Sequence, residues 1–311
     1  MRCLAALVLA LALAGCGLAV GSAPSAVELL VTREFGQRVL ARASGLHAGQ
    51  GETVLSLLAG HTAVQAGSKG GSVASIDALP AGTQIPAGGQ NTRWVYYVNG
   101  VQASKRPGAA SVHPGDHVWW DLHDTSQAPA MPAAVVGAFP QPFLNGIEGK
   151  RLPVRVECTT VSGYACAAVT VTLRRFNVPA AITAVGSGGA PETLRVMVGP
   201  WNRIGGDLEA QSIARGPRAS GVYARFSANG QQLTLLDAQG GTVRTLAGGA
   251  GLVAATQAVK EAPVWVVTGT DDAGVELAAR AFNRVTLADR FALALQGATV
   301  IPLPVPAASA R

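Results

Sequence analysis

The pair Asn99-Gly100, with "TRWVYYV" before it and "VQAS" after it, limits what this chain can fold into more than any other feature. A two-residue reversal between strands needs positive φ at both positions, which Asn and Gly tolerate, so the spacing predicts a type I′ β-hairpin. Strand alternation then assigns faces. Trp94, Tyr96 and Val98 share one side of the first arm, and Val95, Tyr97 and Asn99 share the other. A second aromatic stretch, "HVWWDLHD" at 117–124, follows the turn signal "HPGD" and divides the same way. Val118, Trp120 and Leu122 form an apolar face; His117, Trp119, Asp121 and His123 form a mixed, polar one. Aromatic residues are only 5% of the 311 residues, so five of them on two short stretches ask for an explanation.

Upstream, "VELLVTREF" and "GQRVLARA" read as a strand and its return. "GETVLSLLAGH" places Val54, Leu57 and Leu58 at helical spacing, with Glu52 or Thr53 as N-cap and Gly60 as stop. "GSVASIDAL" is a further strand. Two strands, one helix and several strands over roughly 100 residues describe one helix on a mixed sheet, the β-grasp layout of the α+β class. In order and spacing, "ETVLSLL", "GSVASIDAL", "RWVYYVNGVQA" and "VHPGDHVWW" resemble the transcobalamin-C-terminal-like β-grasp domain of exported bacterial proteins, over residues 27–124. In the cobalamin carriers that this domain resembles it closes over the corrinoid. The resemblance therefore implies a flat conjugated ligand, cobalamin or a related corrinoid, although no counterpart of the carriers' helical partner domain is expected in this sequence.

Residues 125–150 carry four prolines and little periodicity and read as a linker. From residue 151 to about 300 the pattern becomes α/β. Strands are expected at 153–158, 194–199, 221–227, 232–237 and 263–268, with helices near 165–176, 207–215, 250–260 and 273–283. The cleanest unit is "VWVVTG" followed by "TDDAGVELAARAF", where Asp271 or Asp272 caps and Val275, Ala278, Ala279 and Phe282 face inward. Residues 301–311 are expected to be a loose tail.

The start of the sequence sets the expected address. Arg2 supplies a small positive region, Leu4 to Ala14 an apolar run too short to span a bilayer, and "LAGC" ends at Cys16. Residues 1–16 thus resemble a lipoprotein signal whose cysteine is lipidated, with 17–26 as tether. The expected location is the extracytoplasmic side of the cell membrane, with the membrane as partner through the lipid. Cys158 and Cys166 are then the cysteines of the folded part, and in an exported chain they are expected to form a disulfide.

Two readings of the aromatic rows stand. In one, Trp120 and its neighbours pack on the helix and the other rings are cross-strand pairs that stabilise the sheet. In the other, Trp119 with Tyr96 or Tyr97 is an exposed platform for a flat ligand. Candidate ligand-binding residues are Trp94, Tyr96, Tyr97, Asn99, Trp119, Asp121 and His123. His113, Asp116, His117, Asp121 and His123 fall within eleven residues. Only Asp121 and His123, roughly 7 Å apart at Cβ on a strand, could share an ion, and two ligands do not make a metal site.

A formal charge of +6 is carried by scattered basic residues, never more than two in a row, without the stripe a nucleic-acid groove needs, so no nucleic-acid partner is expected. "HExxH", "GxSxG" and "GxxxxGK" are all missing from the sequence, and the acidic pair at 271–272 disfavours phosphate at that helix start. Arg203, Arg215, Arg218, Asp207 and Glu209 read as surface charges. The expectation is a non-enzymatic, membrane-anchored lipoprotein without a resident cofactor. Its β-grasp domain would bind a small ligand, feeding an importer, or an envelope protein. The alternatives are an adhesive or structural role against proteins or polysaccharide, and an enzyme hidden in the second module.

Overall fold

The structure is a computed structural model and describes residues 25–67, 71–84, 91–129, 133–187, 190, 192–258 and 261–307. The expected signal segment, Cys16, most of the tether and residues 308–311 of the expected tail lie outside the described residues. Among the described residues no helix is long and apolar enough to cross a membrane.

The first module contains β1 (Val27–Arg33), β2 (Arg38–Leu46), α1 (Val54–Ala59), β3 (Val64–Ala66), β4 (Val73–Ile76), β5 (Leu79–Pro80), β6 (Thr92–Val98), β7 (Val101–Gln102) and β8 (His117–Asp124). Its five-stranded sheet has the order β2-β1-β8-β6-β7, with β1 and β8 parallel at the centre and the other pairs antiparallel. That is the β-grasp arrangement. Asn99 and Gly100 take φ of 53° and 79° and set Val98 opposite Val101, as the hairpin reading requires. Thr53 caps α1: its hydroxyl accepts from the Ser56 amide at 3.1 Å, and Ser56 Oγ accepts from the Thr53 amide at 2.9 Å. Six residues cannot hold a helix alone, so α1 depends on burying Val54, Leu57 and Leu58 against Val118, Trp120, Leu122, Trp94 and Tyr96.

The second module contains β9 (Val154–Cys158), α2 (Tyr164–Arg175), β10 (Ala180–Ala184), β11 (Leu194–Pro200), α3 (Trp201–Ile204), α4 (Pro217–Ser220), β12 (Ala224–Phe226), β13 (Leu233–Leu236), β14 (Thr242–Leu246), β15 (Ala250–Thr256), β16 (Val264–Gly269), α5 (Asp272–Ala281), α6 (Arg284–Leu287), β17 (Ala292–Gln296) and β18 (Thr299–Leu303). Its seven-stranded sheet has the order β10-β9-β11-β16-β15-β17-β18. The first four strands are parallel, and from β15 onward each pairing is antiparallel. One face shares a core with α2 and α5, through Val156, Val196, Trp265 and Val267 against Val169, Leu173, Val275 and Ala278. The other face, with Met197, Leu252, Val266 and Ala294, packs on the small sheet β12-β13-β14 through Ala224, Leu233 and Leu235. The overall class is α+β with a layered second part. A disulfide joins Cys158 at the end of β9 to Cys166 in the first turn of α2.

Several expectations change. The helix placed near 250–260 is strand β15 for Ala250–Thr256, buried throughout between β16 and β17. An unbroken apolar run such as "AGLVAAT" has no period to separate buried strand from buried helix, and alanine on its own favours helix. Near 207–215 the chain forms a 3-10 turn at Ala210–Arg215. Asp207 and Glu209 are not surface charges: with the buried Glu157 they surround Arg195, whose guanidinium reaches Glu209 and Glu157 at 2.9 Å and also pairs with Asp207. The expected tail begins inside β18, which pairs with β17, and the Val305 amide donates to Leu236 O at 2.9 Å.

The largest change concerns residues 125–150. Ala133 to Val136, Phe139, Phe143 and Leu144 are buried, so most of this stretch is a strap fixed between the modules. The Val135 amide donates to Gly100 O at 2.8 Å and the Val136 amide to Phe291 O at 3.1 Å, one bond to each module. Phe139 meets Phe282 at 4.8 Å and Phe143 meets Trp265 at 5.0 Å. Pro140 and Pro142 lie in turns of a packed segment rather than loosening it.

Candidate functional site

The two faces of the aromatic strands are divided as alternation predicts, but neither is open to water. Trp94, Tyr96 and Trp120 join the core beneath α1. Tyr96 stacks on Trp120 at 4.9 Å, and its hydroxyl donates to Lys105 O at 2.5 Å. Burial pushes that phenol up to about 12. Trp94 Nε1 donates to Leu79 O at 3.1 Å. Asn99 is wholly buried as a turn clamp: its amide nitrogen donates to Asp116 Oδ1 and Gly146 O, and its oxygen accepts from the His117 amide.

On the other face, Tyr97, Trp119 and His123 are sealed against the second module, Trp119 with no exposed surface at all. Phe291, in the turn before β17, sits among them with its ring edge-on to Phe35 (5.2 Å), Tyr97 (5.4 Å), Trp119 (5.2 Å) and His123 (5.4 Å). Tyr223 closes on Phe35 at 5.0 Å. The exposed platform expected at Trp119 is thus a boundary between modules. Close approach depends on two glycines. At Gly36, with φ of 81°, a Cβ would lie 2.0 Å from Asp289 O and 2.8 Å from Trp119 Cζ2; at Gly137 it would lie 2.5 Å from Arg290 N.

The polar members of this face are satisfied internally. Asp121 accepts from the amides of Phe35 (3.0 Å) and Gly36 (2.9 Å), from the Thr32 hydroxyl and from His123 Nδ1 at 2.8 Å; Trp119 Nε1 donates to Thr32 Oγ1 at 2.7 Å. A buried carboxylate with four donors holds the β1–β2 turn in its positive-φ shape. Asp121 and His123 bond each other instead of sharing an ion, and among the described residues no cluster of three metal-capable side chains forms. The hollow beside Tyr97 and His123, lined also by Phe35, Tyr223 and Phe291, measures about 30 Å³, room for one water and not for a flat ligand.

Larger openings lie elsewhere. A cleft of about 140 Å³ runs along the module boundary, with Glu28, Arg42 and His117 on the first module, the strap residues 137–141 and Leu144, and Arg284 and Asp289 on the second. Arg42 pairs with Asp289 and Arg284 with Glu28 at 3.0 Å, both bridging the modules. His117 Nε2 lies 4.0 Å from Glu28, its Nδ1 is buried without a partner, and desolvation holds its pKa below the usual histidine value against the pull of Glu28 and Asp289. A second opening of about 220 Å³ lies where the chain leaves β9 and β11, beside Thr159, Gly163, Gly199 and Asp272. Strand ends of that kind are where open α/β sheets place ligands. Of the residues on these two walls, His117, Cys166, Asp272 and Val275 carry a signal in the sequence, and none of them as a ligand-binding candidate. Arg42 and Asp289 are 247 residues apart, and local pattern carries no signal of their meeting.

Residues 51–124 match a family described as a domain of unknown function (DUF4430). The match covers α1 through β8, consistent with the β-grasp resemblance, and carries no activity with it. No curated protein matches the chain.

Proposed function

We propose that this protein is a non-enzymatic lipoprotein held at the extracytoplasmic face of the membrane by Cys16, in which the β-grasp and α/β modules form one rigid body that contacts an envelope partner. The observation that carries the rigid-body reading is the sealed aromatic face: the rings suited to stacking on a flat ligand are consumed by Phe291 and the strap. This moves weight from capture of a corrinoid on the β-grasp sheet to a structural or recognition role for the whole surface. Export is supported by the apolar run ending in "LAGC" and by the Cys158–Cys166 disulfide, a bond at home in oxidising compartments.

Cell fractionation tests the anchor: the wild-type chain stays with membranes and Cys16→Ser appears in the soluble fraction. Membrane retention of Cys16→Ser would overturn it. Titration with cyanocobalamin tests the loss of the stacking site. Tryptophan emission is expected to stay flat after correction for absorbance by the ligand; saturable quenching would restore the corrinoid reading.

A further inference from the structure

The 140 Å³ boundary cleft has a feature the proposed role does not use. Its rim alternates in sign, with Arg42 against Asp289 and Arg284 against Glu28, one member of each pair from each module. Two guanidiniums and two carboxylates sum to zero. The floor is apolar, from Ala138, Phe139 and Leu144. In the wall lies His117, 7% exposed, whose Nδ1 has no hydrogen-bond partner in the protein.

From this arrangement we propose that the boundary cleft binds a small zwitterion, a free α-amino acid with a short uncharged side chain. A purely anionic ligand would satisfy the arginines and leave Glu28 and Asp289 stripped of partners, and a purely cationic one would do the reverse. A molecule bearing both charges lets each rim pair exchange its partner without leaving a charge alone. Its carboxylate faces Arg42 and Arg284, its ammonium faces Glu28 and Asp289, its side chain rests on Ala138 and Leu144, and the His117 ring forms part of the wall. Size agrees: a cavity of about 150 Å³ accommodates benzene, so this one takes a molecule of about six to eight heavy atoms. Because the cleft is formed by both modules, an occupant would also brace them against each other.

Titration calorimetry on the mature chain decides this, with alanine, valine, proline, glutamate and lysine as ligands and acetate and methylamine as the two half-ligands. Saturable binding of an uncharged-side-chain amino acid is expected, with acetate and methylamine each weaker by at least about tenfold. Ala288→Trp, at the exposed mouth of the cleft, is expected to abolish binding, and Arg284→Ala to weaken it by about tenfold or more with the melting temperature of the free protein little changed. Should the tryptophan variant not fold, Arg284→Ala decides alone, since that arginine is 59% exposed. The proposal is overturned if none of alanine, valine and proline binds at millimolar concentration, if a half-ligand binds as tightly as the zwitterion, or if binding survives in both variants. Membrane fractionation of Cys16→Ser does not depend on this outcome, so the two readings fail separately.

Discussion

Replacing Phe291 by alanine removes the ring that four first-module residues surround. The side chain is 5% exposed, and Phe35, Tyr97, Trp119 and His123 all lie within 5.4 Å of its centroid, edge-on. Large-to-small substitutions of a buried phenylalanine cost about 3–5 kcal/mol, from lost transfer energy and the cavity left behind. The upper half of that range applies here, because the surrounding rings are themselves held. Trp119 is tied by its indole to Thr32, and His123 by Asp121, so the site cannot collapse inward. A domain's whole stability is only about 5–15 kcal/mol, so the loss should be visible in any equilibrium unfolding curve. The assay is urea unfolding followed by tryptophan emission, with Phe291→Leu as a control that keeps most of the volume and costs less than about 1.5 kcal/mol. Wild type should unfold in one transition, and Phe291→Ala should shift its midpoint down by the stated energy. A cost below about 1 kcal/mol would refute the reasoning, because it would mean the ring is not enclosed as described.

Gly36→Ala places a methyl group 2.0 Å from Asp289 O at a φ of 81°; the left-handed backbone and the overpacking together should cost about 2–5 kcal/mol in thermal unfolding, and a neutral result would contradict the close approach. His117 gives a pH dependence. Its folded pKa is depressed by burial, with Glu28, Asp289 and Arg42 as the facing charges, so the unfolded chain binds the proton more readily. The contribution is fully present above the unfolded value of about 6.5 and is lost as pH falls through the lower folded value, and His117→Asn should flatten that slope in unfolding measured across the acidic range. Paired Cys158→Ser and Cys166→Ser substitutions should cost about 2.5 kcal/mol by loop-closure entropy for a separation of 8 residues, read as a lower urea midpoint.

What was legible in the sequence was local. Asn99-Gly100, the Thr53 cap with its Val54, Leu57 and Leu58 stripe, and the Asp271-capped helix each carry their signal within a dozen residues, and all three form as read. Alternation also divided Trp120 from Trp119 correctly. It could not say what covers the second face, because the covering ring, Phe291, comes from far along the chain and has no periodic partner near Trp119. Asp121 and His123 were misread for a related reason: polar residues on a strand usually mark water, but here they form a closed network around Thr32 and the β1–β2 turn. In the strap, proline content hid Phe139 and Phe143, whose burial depends on Phe282 and Trp265. The candidate cleft was the least legible part, since its rim pairs Arg42 with Asp289 across 247 residues.

The enclosure of Trp119 is the claim on which the rest depends, and fluorine NMR of the fluorotryptophan-labelled protein measures it directly. With the Trp119 resonance assigned through Trp119→Phe, transfer from light to heavy water should leave its shift unchanged and a soluble paramagnetic agent should not broaden it. A solvent isotope shift and broadening like those of an exposed indole would show the aromatic face open, and the one-body account would be wrong.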